Sequence, residues 1–375
     1  MTHLRSAAKL VAAQAFGLFI VFNIVTWTIC LGFSIASLVG PGLQPPVLGK
    51  AARMAALPNY AGVDWARTHF QEFAALSSRY ISYIGWRREP YQGKTINLTG
   101  PYAQRATVGA ADSAKPSVYF FGGSTMWGTG ADDAHTIPSL VTQIGGYRSV
   151  NWGESAYTAH QSLVLLVQLL QEGHRPNVVV FYDGANDVAH KCRSELTPTS
   201  HAREGQIRSA LAATKGENVY GLRYMAEPML ALAGVISSRI ALLTRRWRSH
   251  REGQFACHSD SARAQQIADN LIEDWDVARR LVESYGGKFI GILQPVSYVS
   301  DTKLDHLQLS ELKRRQFQAV YPLIQKTMQG RPGLLDLTGV LDRKEYLYID
   351  FCHLSPNGNR YVARRVVEVL GDLKE

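Results

Sequence analysis

From Ser117 to the C-terminus, short apolar runs alternate with longer stretches of helical periodicity, and this alternation leaves few folds open. Val118–Phe121, Val178–Phe181 and Phe289–Leu293 are continuous apolar runs with the length of strands buried on both faces. Ser149–Asn151 and Leu334–Leu337 are shorter strand candidates. Between them the spacing predicts helices over Thr136–Ile144, His160–Glu172, Ser261–Tyr285, Ser310–Met328 and Pro356–Leu370. Strands joined by helical crossovers of this length run parallel, with helices over both faces of the sheet. The ligand crevice of such a sheet lies beyond the carboxyl ends of its strands. Reactive groups are therefore sought just after each strand.

Three loops there carry chemistry. The first strand runs into Gly122-Gly123-Ser124-Thr125-Met126-Trp127-Gly128, where two glycines let the backbone turn and expose the Ser124 hydroxyl. The run lacks the Lys-Ser/Thr of a phosphate-binding loop, and Met126 stands where the elbow G-x-S-x-G needs glycine. A serine hydroxyl is a weak nucleophile until a base and an oxyanion site support it. After Val178–Phe181 comes Tyr182-Asp183-Gly184-Ala185-Asn186-Asp187, in which Asn186 either occupies an ordinary β-turn or, as an amide at a strand tip, can donate to a developing oxyanion. Asp187 is read as a cap for the following segment. Near the C-terminus, Asp350-Phe351-Cys352-His353 sets a carboxylate three residues before a histidine, so that it can fold back and hold the ring tautomer. Ser355-Pro356 then reads as a helix start, and Cys352 as a residue packed beside the site.

Taken in order, these blocks resemble the SGNH (GDSL-like) hydrolase superfamily over roughly residues 117–190 and 288–371. Block one reads Gly-Gly-Ser-Thr rather than Gly-Asp-Ser-Leu, a variant similar to that of membrane-tethered bacterial members. The resemblance implies Ser124 as nucleophile, His353 as base and Asp350 as its orienting acid. It also identifies Gly153, in Asn151-Trp152-Gly153-Glu154-Ser155, as the remaining block residue. The oxyanion hole it implies comprises the backbone amides of Ser124 and Gly153 and the side chain of Asn186. The implied fold is a flavodoxin-like three-layer α/β/α sandwich around a five-stranded parallel sheet, with no metal and no organic cofactor.

Ahead of this domain, Leu10–Val39 holds no charged side chain. As a helix it would reach roughly 45 Å against a hydrocarbon core of about 30 Å, enough for one tilted transmembrane span. A cleaved signal peptide has a shorter apolar region, so an uncleaved anchor is expected. Arg5 and Lys9 precede the span closely, while Lys50 and Arg53 follow at a distance. That charge bias tilts towards an N-terminus in the cytoplasm and a folded domain outside it, and the resemblance implies a bacterial inner membrane. The expected organisation is a cytoplasmic stub and anchor over 1–40, a linker and accessory segment over 41–116, and the hydrolase domain over 117–375. Within the accessory segment, the aromatic and basic run Tyr83–Tyr91 is read as docking on the main domain, with ligand binding as the alternative.

An insertion at about 190–259 carries an apolar helical stripe from Met225 to Trp247, ending in an arginine cluster. It packs on the core, covers the site as a lid, or touches the membrane surface. Cys192 and Cys257 flank it and either pair in an oxidising compartment or stay as thiols; none of the four cysteines forms a C-x-x-C pair. With 46% hydrophobic and 19% charged residues, the 375-residue chain can bury a full core, which excludes wholesale disorder. The net charge of +9 suits anionic partners or is simply a basic surface, and no nucleic-acid motif accompanies it. The resemblance implies hydrolysis of an acetyl or other short acyl ester, and a tether outside the cytoplasm makes an envelope or exported carbohydrate the expected substrate. Acyl transfer to an exopolysaccharide and a non-catalytic membrane-tethered binding protein are the alternatives.

Overall fold

The two runs Ser117–Gly122 and Val178–Asp183 put almost nothing but apolar side chains on both faces of a strand, and they form the centre of one sheet. In the computed structural model, which describes residues 14, 16–29, 46–214 and 255–373, this sheet organises the unit formed by 50–215 and 251–375. The N-terminal part supplies helices α1 (Pro46–Ala55) and α2 (Ala66–Ala75), the hairpin β1 (Ser78–Ile81) and β2 (Gly85–Arg88), and three short strands. These are β3 (Tyr91–Gln92), β4 (Asn97–Thr99) and β5 (Gln104–Arg105). Then follow β6 (Ser117–Gly122), α3 (Ser124–Trp127), α4 (Ile137–Gly145), β7 (Arg148–Asn151), α5 (Ala159–Gln171), β8 (Val178–Asp183), α6 (Ala185–Lys191) and α7 (Glu204–Thr214). The chain closes with α8 (Ser261–Glu283), β9 (Lys288–Leu293), α9 (Glu311–Met328), β10 (Leu334–Asp336) and α10 (Pro356–Asp372). The five helices expected from spacing all form within two residues of their expected bounds.

The sheet order is β10-β9-β8-β6-β7-β5-β4-β3. The first five strands are parallel, so the expected parallel sheet is present, but it is not the whole sheet. Three antiparallel strands from residues 91–105 extend it, joined through the pairing of Arg105 with Asn151. The expectation of a five-stranded sheet is corrected to an eight-stranded mixed one. Strands of two or three residues carry no readable period, whereas they cover an edge of β7 that would otherwise be bare.

Alternate side chains of each central strand enter opposite cores, as the two-residue repeat requires. Val179 and Phe181 pack with α5, α8 and α9, while Val178, Val180 and Tyr182 pack with α4 and α10. This makes three layers, helix over sheet over helix. Cap chemistry fixes the helix starts nearest the strand ends. Thr158 and Gln161 form a capping box on α5, and Ser355 accepts from the Gly358 N–H ahead of Pro356 in α10.

Cys192 and Cys257 are joined in a disulfide, Cα atoms 5.2 Å apart, at the two points where the insertion leaves and rejoins the core. The Met225–Trp247 stripe lies outside the described residues. Residues 16–29 are helical with their apolar side chains exposed, Trp27 at 67%. Among the described residues no helix is long and apolar enough to cross a membrane. The rest of the expected span over Leu10–Val39 lies outside them.

Candidate active site

Three of the block residues directly follow the carboxyl end of a strand. Ser124 opens α3 directly after β6, so its N–H has no intrahelical carbonyl to serve. Asn186 lies in the first turn of α6 after β8, and Gly153 in the loop after β7. Asp350 and His353 sit in a tight loop ahead of α10. The Ile349 N–H closes that loop on the His353 carbonyl at 2.9 Å, and Tyr348 and Leu354 form a bridge beside it. The Thr125 hydroxyl donates to the Cys352 carbonyl at 3.1 Å, tying α3 to the loop across the sheet end.

The result is a continuous hydrogen-bonded chain. His353 Nε2 lies 2.6 Å from Ser124 Oγ, and His353 Nδ1 lies 2.6 Å from Asp350 Oδ2. Asp350 Oδ1 also accepts the Cys352 N–H at 2.9 Å and the His353 N–H at 2.8 Å. Burial opposes the Asp350 charge, but the charge of His353 and these hydrogen bonds outweigh it, holding the carboxyl well below the usual carboxylate range. Burial likewise opposes charging of His353, yet the adjoining carboxylate raises its pKa well above the ordinary imidazole value. The side chain of Asp350 is still 41% exposed and that of His353 16%, so the pair is reachable from solvent. Burial pushes the Cys352 thiol up, which leaves it protonated and packed against the ring, 3.9 Å from Nδ1. Asp350, Cys352 and His353 place ligand-type atoms within 4.8 Å of one another, but both ring nitrogens are already engaged with Asp350 and Ser124.

The surroundings of Ser124 on the side of Asn186 and Gly153 are built around two glycines. Asn186 Nδ2 donates to the Tyr157 carbonyl at 2.9 Å, and a Cβ on Gly123 would come within 2.2 Å of that nitrogen. At Gly153 a Cβ would sit 2.5 Å from the Trp127 amide nitrogen and 2.9 Å from the Met126 carbonyl carbon. The loop can therefore lie against the backbone of α3 only with glycine there. The Gly153 N–H, which the resemblance implies as an oxyanion-hole donor, donates to Asn151 Oδ1 at 3.0 Å, while Asn151 Nδ2 donates to the Met126 carbonyl at 3.0 Å. Asp187 does not act as a simple cap: fully buried, it pairs with Lys191 at 2.8 Å and faces the Ala159 N–H at the start of α5. The aromatic and basic hairpin docks on the loop after β7, with the Trp86 indole N–H donating to the Ser155 carbonyl at 3.1 Å. A cavity of about 300 Å³ opens beside Asp350, lined in part by Met54, Leu57, Tyr298, His306, Lys313 and Phe351.

Sequence reasoning missed Tyr157 and Asn151. Both act on neighbours through polar contacts that leave no motif. The capping box that follows Tyr157 was the only nearby signal.

The chain matches no protein-family profile and no curated protein. Among solved structures, it is similar to a member of the lipolytic protein G-D-S-L family from Veillonella parvula, at 12% identity, 68% coverage of this chain, 97% of that one and a TM-score of 0.38. It is also similar to the acetyl xylan esterase AlAXEase, at 15% identity, 68% and 98% coverage and a TM-score of 0.38. A third is Est24, a carbohydrate acetylesterase from Sinorhizobium meliloti, at 11% identity, 69% and 100% coverage and a TM-score of 0.38. These likenesses are low, and what the chain does is read from its own site.

Proposed function

We propose that the protein is a membrane-anchored serine esterase acting on a short acyl ester, with an envelope or exported carbohydrate as the alcohol part. The observation that carries this reading is the unbroken hydrogen-bonded chain Ser124–His353–Asp350. Ser124 Oγ attacks the ester carbonyl carbon as His353 Nε2 takes the hydroxyl proton. The oxyanion is met by the Ser124 N–H and the free Nδ2 proton of Asn186, with the Gly153 N–H shared between Asn151 and substrate. On collapse the alcohol leaves, taking the proton from His353, and the acyl group stays on Ser124. His353 then activates water, whose attack releases the acid and restores the serine. A sugar hydroxyl in place of water gives acyl transfer by the same steps.

Anchoring is supported by the exposed apolar helix over 16–29. Two of its polar side chains bond within the helix, Asn23 to the Phe19 carbonyl at 2.7 Å and Thr28 to the Ile24 carbonyl at 2.8 Å, as a lipid environment favours. The disulfide Cys192–Cys257 supports a location of the domain outside the cytoplasm.

Full-length protein in detergent should release p-nitrophenol from p-nitrophenyl acetate, and Ser124→Ala should abolish release while keeping the fold. Turnover that survives Ser124→Ala would overturn the reading. Product analysis with an acetylated polysaccharide and an acceptor sugar then separates hydrolysis from transfer.

A further inference from the structure

The accessory hairpin reaches the same loop that carries Gly153. The Arg87 side chain, wholly buried, donates from Nη1 to the Trp152 carbonyl and from Nε to the Tyr102 carbonyl, both at 2.8 Å. Glu154, also wholly buried, accepts the Arg88 N–H at 2.8 Å and the Ser155 N–H at 2.6 Å. Its carboxylate lies 3.8 Å from Arg87 Nε and 3.7 Å from Arg88 Nε. Gly153 is thus held on one side by α3, which its missing side chain lets approach, and on the other by an ion-paired clamp on residues 152 and 154. A buried ion pair is a poor way to gain stability, since well-packed apolar residues of the same volume are often equal or better. The Arg87 guanidinium also lies over the Tyr157 ring, 5.8 Å from its centroid. What the arrangement does supply is a fixed position for the Gly153 backbone relative to Ser124.

We propose that Arg87 and Glu154 are positioning residues for the ester chemistry, with the accessory segment serving as the outer brace of the oxyanion loop. The proposal rests on the serine-esterase reading. Displacing a reacting group by about 1 Å costs on the order of 10²-fold in rate. Loss of the brace acts on transition-state contacts and leaves ground-state binding of a small ester nearly unchanged.

The test uses the full-length protein with Glu154→Ala, Glu154→Gln and Arg87→Lys. Glu154→Ala should lower kcat for p-nitrophenyl acetate by about 10- to 100-fold with KM within about two-fold, and Glu154→Gln, which keeps a carbonyl acceptor, should recover part of it. Amide hydrogen exchange of the peptide containing Gly153 should be faster in the Ala variant while the distant strand β9 keeps its protection. Wild-type kcat in a folded Glu154→Ala protein would overturn the proposal, as would a loss of kcat that Glu154→Gln does not relieve. If Glu154→Ala does not fold, Arg87→Lys, which cannot span both carbonyls, is read by the same criteria. If the wild-type protein itself shows no serine-dependent turnover, the esterase reading falls. Exchange at Gly153 then decides the bracing separately: faster exchange supports it and unchanged exchange removes it.

Discussion

Asn186 and Tyr157 are joined by one hydrogen bond, from the side-chain Nδ2 to the backbone carbonyl at 2.9 Å. A primary amide carries two N–H groups, so this bond fixes the plane of the amide and leaves its second proton to donate. The amide stands beside Ser124 only because Gly123 has no side chain to exclude it. An oxyanion donor is worth most when it is already oriented before charge develops, and in the proposed mechanism the Tyr157 carbonyl gives Asn186 that orientation.

Asn186→Ala should therefore lower kcat by about 10²–10³, or ~2.7–4 kcal/mol, with little change in KM. Steady-state and burst kinetics with p-nitrophenyl acetate check this. A variant that turns over at the wild-type rate would remove Asn186 from the oxyanion site.

Gly153→Ala tests the contact between the oxyanion loop and α3. The new Cβ would meet backbone atoms of Met126 and Trp127, which cannot rotate away as a side chain can. Overpacking of this kind costs about 1–3 kcal/mol of stability. Urea denaturation should show that loss, and turnover should fall further than stability does, because the displaced backbone is that of α3, which carries the proposed nucleophile Ser124. A fully active, fully stable variant would mean that the loop does not press on α3.

The pH dependence follows from the two opposed shifts in the His353–Asp350 pair. Protonated His353 cannot accept the Ser124 proton, and its pKa is raised, so the acid limb of kcat/KM should lie above the ordinary value of about 6.5. For stability the signs differ. The raised His353 contributes fully below about 6.5 and its contribution fades as pH rises through the folded value, while Asp350 contributes above about 3.9 and is lost as pH falls through its lowered one. The pair should thus stabilise most between about pH 4 and 6.5, where turnover is low. Asp350→Asn should bring the acid limb down towards the ordinary imidazole value and cut kcat by up to about 10⁴-fold. An acid limb that stays in place in Asp350→Asn would assign the ionisation to another group.

What could be read from sequence follows from how local each signal is. Strands β6, β8 and β9 announce themselves as apolar runs because they are buried on both faces, and Ser124, Asn186, Asp350 and His353 each sit in a short stretch whose chemistry is self-contained. Strands β3 to β5 are too short to show a period, and their reason for existing lies at the edge of β7, far along the chain. The brace is illegible for the same reason: Arg87 finds the Trp152 carbonyl across 65 residues. Asn151, read as the end of a strand and the first residue of the Gly153 block, accepts the Gly153 N–H because its amide can serve α3 and the loop at once. Backbone carbonyls such as those of Tyr157 and Trp152 have no residue identity for a sequence to display.

The disulfide offers a prediction about the fold apart from the chemistry. Cys192 ends α6, and Cys257 lies just ahead of α8, at a sequence separation of 65. In the chain-entropy account a closed loop of this size removes up to about 4 kcal/mol of freedom from the unfolded chain. Replacing both cysteines by alanine should lower Tm and the urea midpoint accordingly. Turnover at 25 °C should stay within a few-fold, since the first turn of α6 is held separately by the Asp187–Lys191 pair and by Asn186 on Tyr157. The Arg263 guanidinium also bonds the Lys191 and Arg193 carbonyls, so the end of α6 keeps a second tie to α8 without the bridge. Peptide mapping without reductant should find the two cysteines linked, and free alkylation of both would show that the bridge does not form.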